Sequence, residues 1–513
     1  MQSIIFYRIS FLFAILLLYG LVGNDLGGHF WFTLLTFTLI SYNAFEIAKY
    51  FYNDSRKPQT FFAPTVITAV LVLGLGYGIT NILFITPWFD LVPLGVLDGK
   101  QISNEMSKLV LLSIIGSLGL WVGQDSKLAK YFDSKVFYQQ LDKILPKTDK
   151  LRYGALPIVL GLSIAAKVAQ ENFGLFGYCS TYDSLMAGKN YSYYLTIFSN
   201  FGKLGLIISS LSFFYGLKDN RYVLWMLIFW LTETAFGVAS ASKTNIVAPT
   251  LMIFLCQVIT SKRIKIYSIA AMGIVVISLF FAALPFVDEY REIVIRYQKN
   301  ESGTCSSMSS TAIVASKMLE IREQSILGES KAPKYLKDQG APYSAHDGSA
   351  VGKFLARFNY SFIGSYGLIF RDENIGIFPN NVLSDIILSP LYAWIPRFIW
   401  ESKPTSNIGV FYNQKVLGTV SNSSTGMGSV TYLYMGGGVF LVIVGFIFIG
   451  VTQQSFFSLL YVKNKIAGKT IFLMLLGNFS FIESAVTAYF VDMFRLIPLW
   501  LVITHFIFKA TKN

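Results

Sequence analysis

Apolar runs of roughly 18 residues or more recur along this chain, and such runs are long enough to cross the hydrocarbon of a bilayer. Ile4 to Gly23, Phe61 to Ile85 and Ile266 to Val287 are apolar on every side. Soluble helices and strands instead alternate apolar and polar residues at their own period. Only 14% of the 513 residues are charged, against about 25% in soluble domains. The chain reads as an all-α polytopic membrane protein. Its first run carries Arg8, lacks a small-residue cleavage site and is followed at once by a second apolar run. We therefore read it as a span and not as a cleaved signal.

The net charge of +13 would suggest nucleic acid in a soluble protein. In a membrane protein Lys and Arg collect on the cytoplasmic side, so their positions decide between the two readings. Basic clusters follow the second run (Phe30 to Ala48), the fourth (Met106 to Gln124), the sixth (Tyr193 to Leu217) and the eighth (Thr244 to Ile259). The loops after the first, third, fifth (Tyr153 to Val168) and seventh (Tyr222 to Val238) runs are poor in basic residues. This alternation puts the N-terminus in the cytoplasm and the chain after Val287 outside. The run Val430 to Val451 leads to Lys463, Lys465 and Lys469, so it starts outside as well. Spans Thr470 to Ala488 and Met493 to Phe508 follow. The expectation is about twelve spans with both termini cytoplasmic. Three regions result: a nine-span bundle over 1–287, an outer segment over 288–429, and a three-span bundle over 430–513. No nucleic-acid partner is implied.

The outer segment is about 140 residues long, well beyond ordinary connections, and long loops tend to be functional. Ile313 to Ile326 and Val351 to Phe370 look amphipathic. Val382 to Trp400 is apolar but holds Asp385, Pro390, Pro396 and Arg397, which are costly in a lipid-facing helix. It reads as re-entrant or interfacial and should line a cavity, because irregular backbone at membrane depth needs protein or water partners.

Cations stand out on this side: Arg291, Arg296, Arg322, Arg357, Arg371, Arg397 and Lys403. A guanidinium near the headgroups either binds phosphate through a bidentate fork or anchors the chain by snorkelling. Lys203 lies inside the sixth run and Lys243 at the outer end of the seventh; charge within a span is a functional-site hypothesis by default. Lys243 adjoins Ser242, Thr244 and Asn245 and follows Ser240, a polar pocket wall in prospect. The three His are scattered and no acidic cluster occurs, so no metal site and no cofactor are expected. Gly74 to Gly78 falls in a span, where small residues permit close helix packing. Cys179 and Cys305 both fall in outer loops and could pair if that side is oxidising.

The stretch Ala393-Trp394-Ile395-Pro396-Arg397-Phe398-Ile399-Trp400-Glu401-Ser402-Lys403-Pro404 resembles the I-P-R, large aromatic, K-P signature of the Wzy-type O-antigen polymerases. Gly237 to Thr244 is similar to that family's small-Ser-Arg/Lys turn, with Lys243 where Arg is common. Asp288-Glu289-Tyr290-Arg291 resembles its Tyr-Arg after a span, and Gly426 to Gly438 its polar-to-Gly entry into the next.

The resemblance implies a GT-C-like, metal-independent glycosyltransferase of the bacterial inner membrane. It would join undecaprenyl-diphosphate-linked oligosaccharides at the periplasmic face, among membrane lipids and with a chain-length regulator as a compatible partner. Arg397 and Arg291 would hold the diphosphate, supported by Lys403, Lys243, Arg357, Ser242 and Lys203. Glu289, His346 and Glu401 are candidate bases, and Glu289 joins the two arginines in the expected catalytic set. Two rivals remain: an O-antigen ligase, with lipid A-core as acceptor, and a flippase or transporter for the lipid-linked glycan.

Overall fold

The computed structural model describes residues 27–54, 76–85, 99–132, 154–177, 191–216, 220–240, 242–261, 359–373, 408–417, 426–462, 466–480 and 486–508, with isolated positions elsewhere. Among these residues there is no strand. In chain order the helices are α1 (Gly27–Asp54), α2 (Thr80–Ile85), α3 (Gly99–Asp125), α4 (Lys127–Phe132), α5 (Ala155–Asn172), α6 (Ser192–Ser199) and α7 (Phe201–Phe214). They continue with α8 (Arg221–Ala239), α9 (Lys243–Thr260), α10 (Tyr360–Glu373), α11 (Ile408–Phe411), α12 (Ser429–Phe456), α13 (Ile466–Ser480) and α14 (Val486–Ile507). Four described stretches are long and apolar enough to cross a membrane: Asn104–Asp125, Ser192–Phe214, Arg221–Ala239 and Ser429–Tyr461. The protein is an all-α membrane protein.

The chain forms two compact units that interleave in sequence. The first comprises 1–144, 337–464 and 475–500, and the second 145–336, 465–474 and 501–513. The first unit is built on α3 and α12, which pack side by side. Gly123 abuts the backbone of Ile447, and Gly450 that of Leu120. Small residues let the two backbones touch, and dispersion across that seam does the work that the hydrophobic effect cannot do inside lipid. Gly78 likewise sits against Ile40 of α1.

Helix α10 departs from the sequence expectation. Val351 to Phe370 reads as amphipathic, yet Tyr360 to Ile369 are all buried, packed against α3 and α12. The polar stripe in the pattern is made of small residues: Gly364 and Gly367 face Thr431, and Ser365 Oγ donates to the Phe362 carbonyl at 2.7 Å. Periodicity counts such residues as a solvent face, whereas here they admit a neighbouring helix. Fourteen residues give about 21 Å, short of a full crossing. The segment 288–429 therefore sends a helix against α3 and α12. Its first turn is tied by Asn359, whose Oδ1 accepts from Phe362 N at 2.9 Å while its Nδ2 donates to the Thr80 carbonyl at 3.3 Å.

Helix α12 is kinked. Gly438 has φ 66° and ψ −157°, a region that L side chains avoid. The Arg371 guanidinium lies against it and 4.5 Å from the Tyr434 ring centroid.

The sixth run is one continuous stretch, Ser192–Phe214: α6 and α7 meet at Asn200, through which the Asn200 N to Thr196 O and Leu204 N to Asn200 O hydrogen bonds continue. One other boundary differs from the hydropathy reading. Val486 to Ala488, read as the end of the run from Thr470, belong to α14. Asp492 and Arg495 mark an edge in hydropathy but lie inside α14. The runs Ile4 to Gly23, Ile266 to Val287 and Val382 to Trp400, and the helix expected at Ile313 to Ile326, lie wholly or largely outside the described residues.

Candidate functional site

The second unit is a bundle of α5 to α9. Gly205 on α7 accepts the ring of Phe229, and Cys256 of α9 lies against the Ile207 carbonyl at 3.8 Å. At one end Arg152 N donates to the Ile507 carbonyl at 2.9 Å, and Lys469 Nζ donates to Tyr215 Oη at 2.5 Å. At the other end the last turn of α5, the junction of α6 and α7, the last turns of α8 and the start of α9 surround a cavity of about 380 Å³. That volume falls within the usual size range of small-molecule sites.

Each wall follows from a local feature of sequence. Thr196, Ser199, Asn200 and Lys203, at i, i+3, i+4 and i+7, share one face of the stretch Ser192–Phe214 and line the cavity. Gln170 on α5 is held by its Nε2 donating to Thr196 Oγ1 at 3.3 Å. Ser240 and Ser242 end α8 and cap α9, with Ser242 Oγ accepting from Asn245 N at 3.4 Å. Ser242 and Asn245 bring the start of this 18-residue helix to the cavity wall, so the positive end of its dipole lies beside the cavity. Phe176 and Phe236 close one side, edge to face, with ring centroids 6.0 Å apart.

At the base of the cavity Lys167 of α5 donates to Glu233 of α8. Their side chains are only 7% and 4% exposed, and the ammonium also lies 4.9 Å from the Phe236 ring centroid. Pairing is what allows both charges to remain at membrane depth, since either alone would be strongly disfavoured. Gly202 is the enabling residue on α7: a Cβ there would overlap Glu233 Oε1 and stand 2.8 Å from Ser163 Oγ. The carboxylate is thus wedged in one position. Lys203, the half-buried residue next to Gly202, forms no ion pair among the described residues and is near enough for its charge to oppose that of Lys167. The described walls therefore carry two cations and one anion, with the positive end of α9 added.

Of the residues singled out from sequence, Lys203, Ser240, Ser242 and Asn245 come together here. Lys243 is the first residue of α9; its side chain lies outside the described residues. Arg397, Arg291, Glu289, Lys403 and Arg357, the other candidate bases His346 and Glu401, and both Cys179 and Cys305 also lie outside them. Cys256 is a buried free thiol. Sequence reasoning missed Lys167, Glu233, Gln170 and Asn200. Lys167 and Glu233 are opposite charges near the same end of neighbouring spans, which is the signal that would have found them.

A second polar cluster lies in the first unit. Lys108 Nζ is 2.5 Å from Asp372 Oδ2 and 3.6 Å from Glu105 Oε2, and Tyr434 Oη donates to Asp372 Oδ1 at 3.3 Å. Lys108 and Asp372 are 31% and 40% exposed. Comparison with protein-family models, curated proteins and solved structures gives no match.

Proposed function

We propose that the chain is a membrane-embedded glycosyltransferase that polymerises undecaprenyl-diphosphate-linked oligosaccharide repeats at the periplasmic face of a bacterial inner membrane. The observation that carries the reading is the cavity. It lies at the helix ends that the loop charges assign to the outside, and it combines Lys203, which forms no ion pair among the described residues, the N-terminus of α9 and a set of amides and hydroxyls. Cations and helix dipoles stabilise a departing diphosphate without a metal, while amides and hydroxyls suit sugar hydroxyls. The resemblance around Arg397 and in the turn from Gly237 to Thr244 supports the same chemistry. In this reading the chain has about twelve spans and a GT-C-like plan, with both termini cytoplasmic.

A hydroxyl of one lipid-linked repeat attacks the anomeric carbon of the growing glycan. The glycosidic bond to the donor's diphosphate breaks, and undecaprenyl diphosphate leaves with the electron pair. Arg397, Arg291 and Lys203 take up its charge, with Lys243, Lys403, Arg357 and Ser242 supporting. A chain-length regulator would act on this reaction.

The buried Lys167–Glu233 pair also suits a transporter of the same lipid-linked glycan. A glycan gel of a deletion strain separates the readings. Single capped repeats in the absence of the protein, and again with Arg397→Ala at normal protein level, support the polymerase. Full-length polymer left on the carrier would indicate a ligase, and repeats trapped on the inner face a flippase.

A further inference from the structure

The Lys167–Glu233 pair is at the wall of the cavity, not behind it. A base for a sugar hydroxyl must be ionised, must face the substrate and must hold one position. Glu233 meets each condition. Lys167 offsets the cost of its charge at depth. The carboxylate lines the cavity, where it is the one acidic side chain among the described residues. The absence of a Cβ at Gly202 creates the slot it occupies. Around it Gln170, Asn200 and Asn245 offer donors and acceptors for hydroxyl groups, and Phe236 offers an apolar face. We infer that Glu233 is the general base that takes the acceptor hydroxyl's proton, with Lys167 as its positioning residue.

This inference rests on the polymerase reading and assigns the base to Glu233 in place of Glu289. The step balances. The acceptor O–H bond breaks and its proton passes to Glu233. The acceptor oxygen bonds the anomeric carbon, and the anomeric C–O bond to diphosphate breaks with its electrons on the leaving group. Neutralising Glu233 frees the charge of Lys167 as negative charge builds on the diphosphate. The cavity thus gains an uncompensated cation when one is needed.

The competing explanation is that the pair only ties α5 to α8. Full-length protein in proteoliposomes, supplied with lipid-linked repeats, distinguishes the two. Glu233→Gln should lower kcat by about 10²–10⁴-fold, the usual contribution of a general base, with KM little changed. The neutral pair Lys167→Gln/Glu233→Gln removes both charges together, so it should melt near wild type yet stay as slow as Glu233→Gln. It decides the matter even if the single variant fails to fold. Near-normal turnover by the double variant would overturn the assignment, as would a Glu233→Gln effect confined to KM. If the wild-type protein elongates nothing, the polymerase reading itself falls, and this assignment with it.

Discussion

Replacing Gly202 with Ala places one methyl group where Glu233 Oε1 now lies, 2.7 Å from its Cδ and 2.8 Å from Ser163 Oγ. Two responses are open. Helices α7 and α8 can part, an overpacking cost of about 1–3 kcal/mol. Alternatively Glu233 can swing away from Lys167, and breaking a buried pair costs about 3–5 kcal/mol. The cheaper response sets the outcome. Alanine also favours helix over glycine by ~1 kcal/mol, which masks part of the effect. Gly161→Ala on α5 removes that ambiguity, because its Cβ would meet nothing within 4 Å. The difference between the two variants is then the steric cost alone, about 1–3 kcal/mol. For a unit of this size that corresponds to a Tm roughly 2–12 °C lower for Gly202→Ala than for Gly161→Ala. Cys256, buried in α9 against α7, is a built-in reporter. With Cys179 and Cys305 replaced by Ser, a thiol-reactive dye reports when this core opens. Adding Glu233→Asp to Gly202→Ala withdraws the carboxylate by one methylene and should restore part of the loss. If Gly202→Ala and Gly161→Ala melt together, the wedging of Glu233 by α7 is wrong.

Two further outcomes concern the first unit. Gly438→Ala must hold a side chain at φ 66° beside the Arg371 guanidinium 2.9 Å away, so it should destabilise by about 1–3 kcal/mol; a melt unchanged from wild type would show that the kink relaxes freely. Lys108→Gln, by contrast, removes a partly exposed pair with Asp372 and should cost no more than about 1 kcal/mol, shrinking further in high salt. A large, salt-insensitive loss in the same melt would mean the pair is shielded by more than the described side chains.

The long apolar runs were legible because bilayer thickness fixes their length. The bounds read for the seventh and eighth runs fall within a residue of those of α8 and α9, and the fourth run ends with α3 although α3 begins earlier, at Gly99. Ser240, Ser242 and Asn245 were legible as a polar wall because they interrupt such runs at one helical turn. Lys203 was legible because a lone charge in a span is rare. Glu233 and Lys167 are charges inside runs as well and carried the same signal, but their partnership spans 66 positions, beyond any local pattern. Helix α10 misled for a related reason. Hydropathy assigns Gly364, Ser365 and Gly367 to water, whereas their small size assigns them to a helix neighbour.

The central claim is that this cationic cavity faces the periplasm, where lipid-linked repeats are joined. Thr244, exposed on the first turn of α9 beside the cavity residues Ser242 and Asn245, reports on it directly. With the three native cysteines replaced, Thr244→Cys should react with a membrane-impermeant maleimide added to the outside of intact spheroplasts. Labelling that appears only after the membrane is opened would put the cavity on the cytoplasmic face and contradict the account.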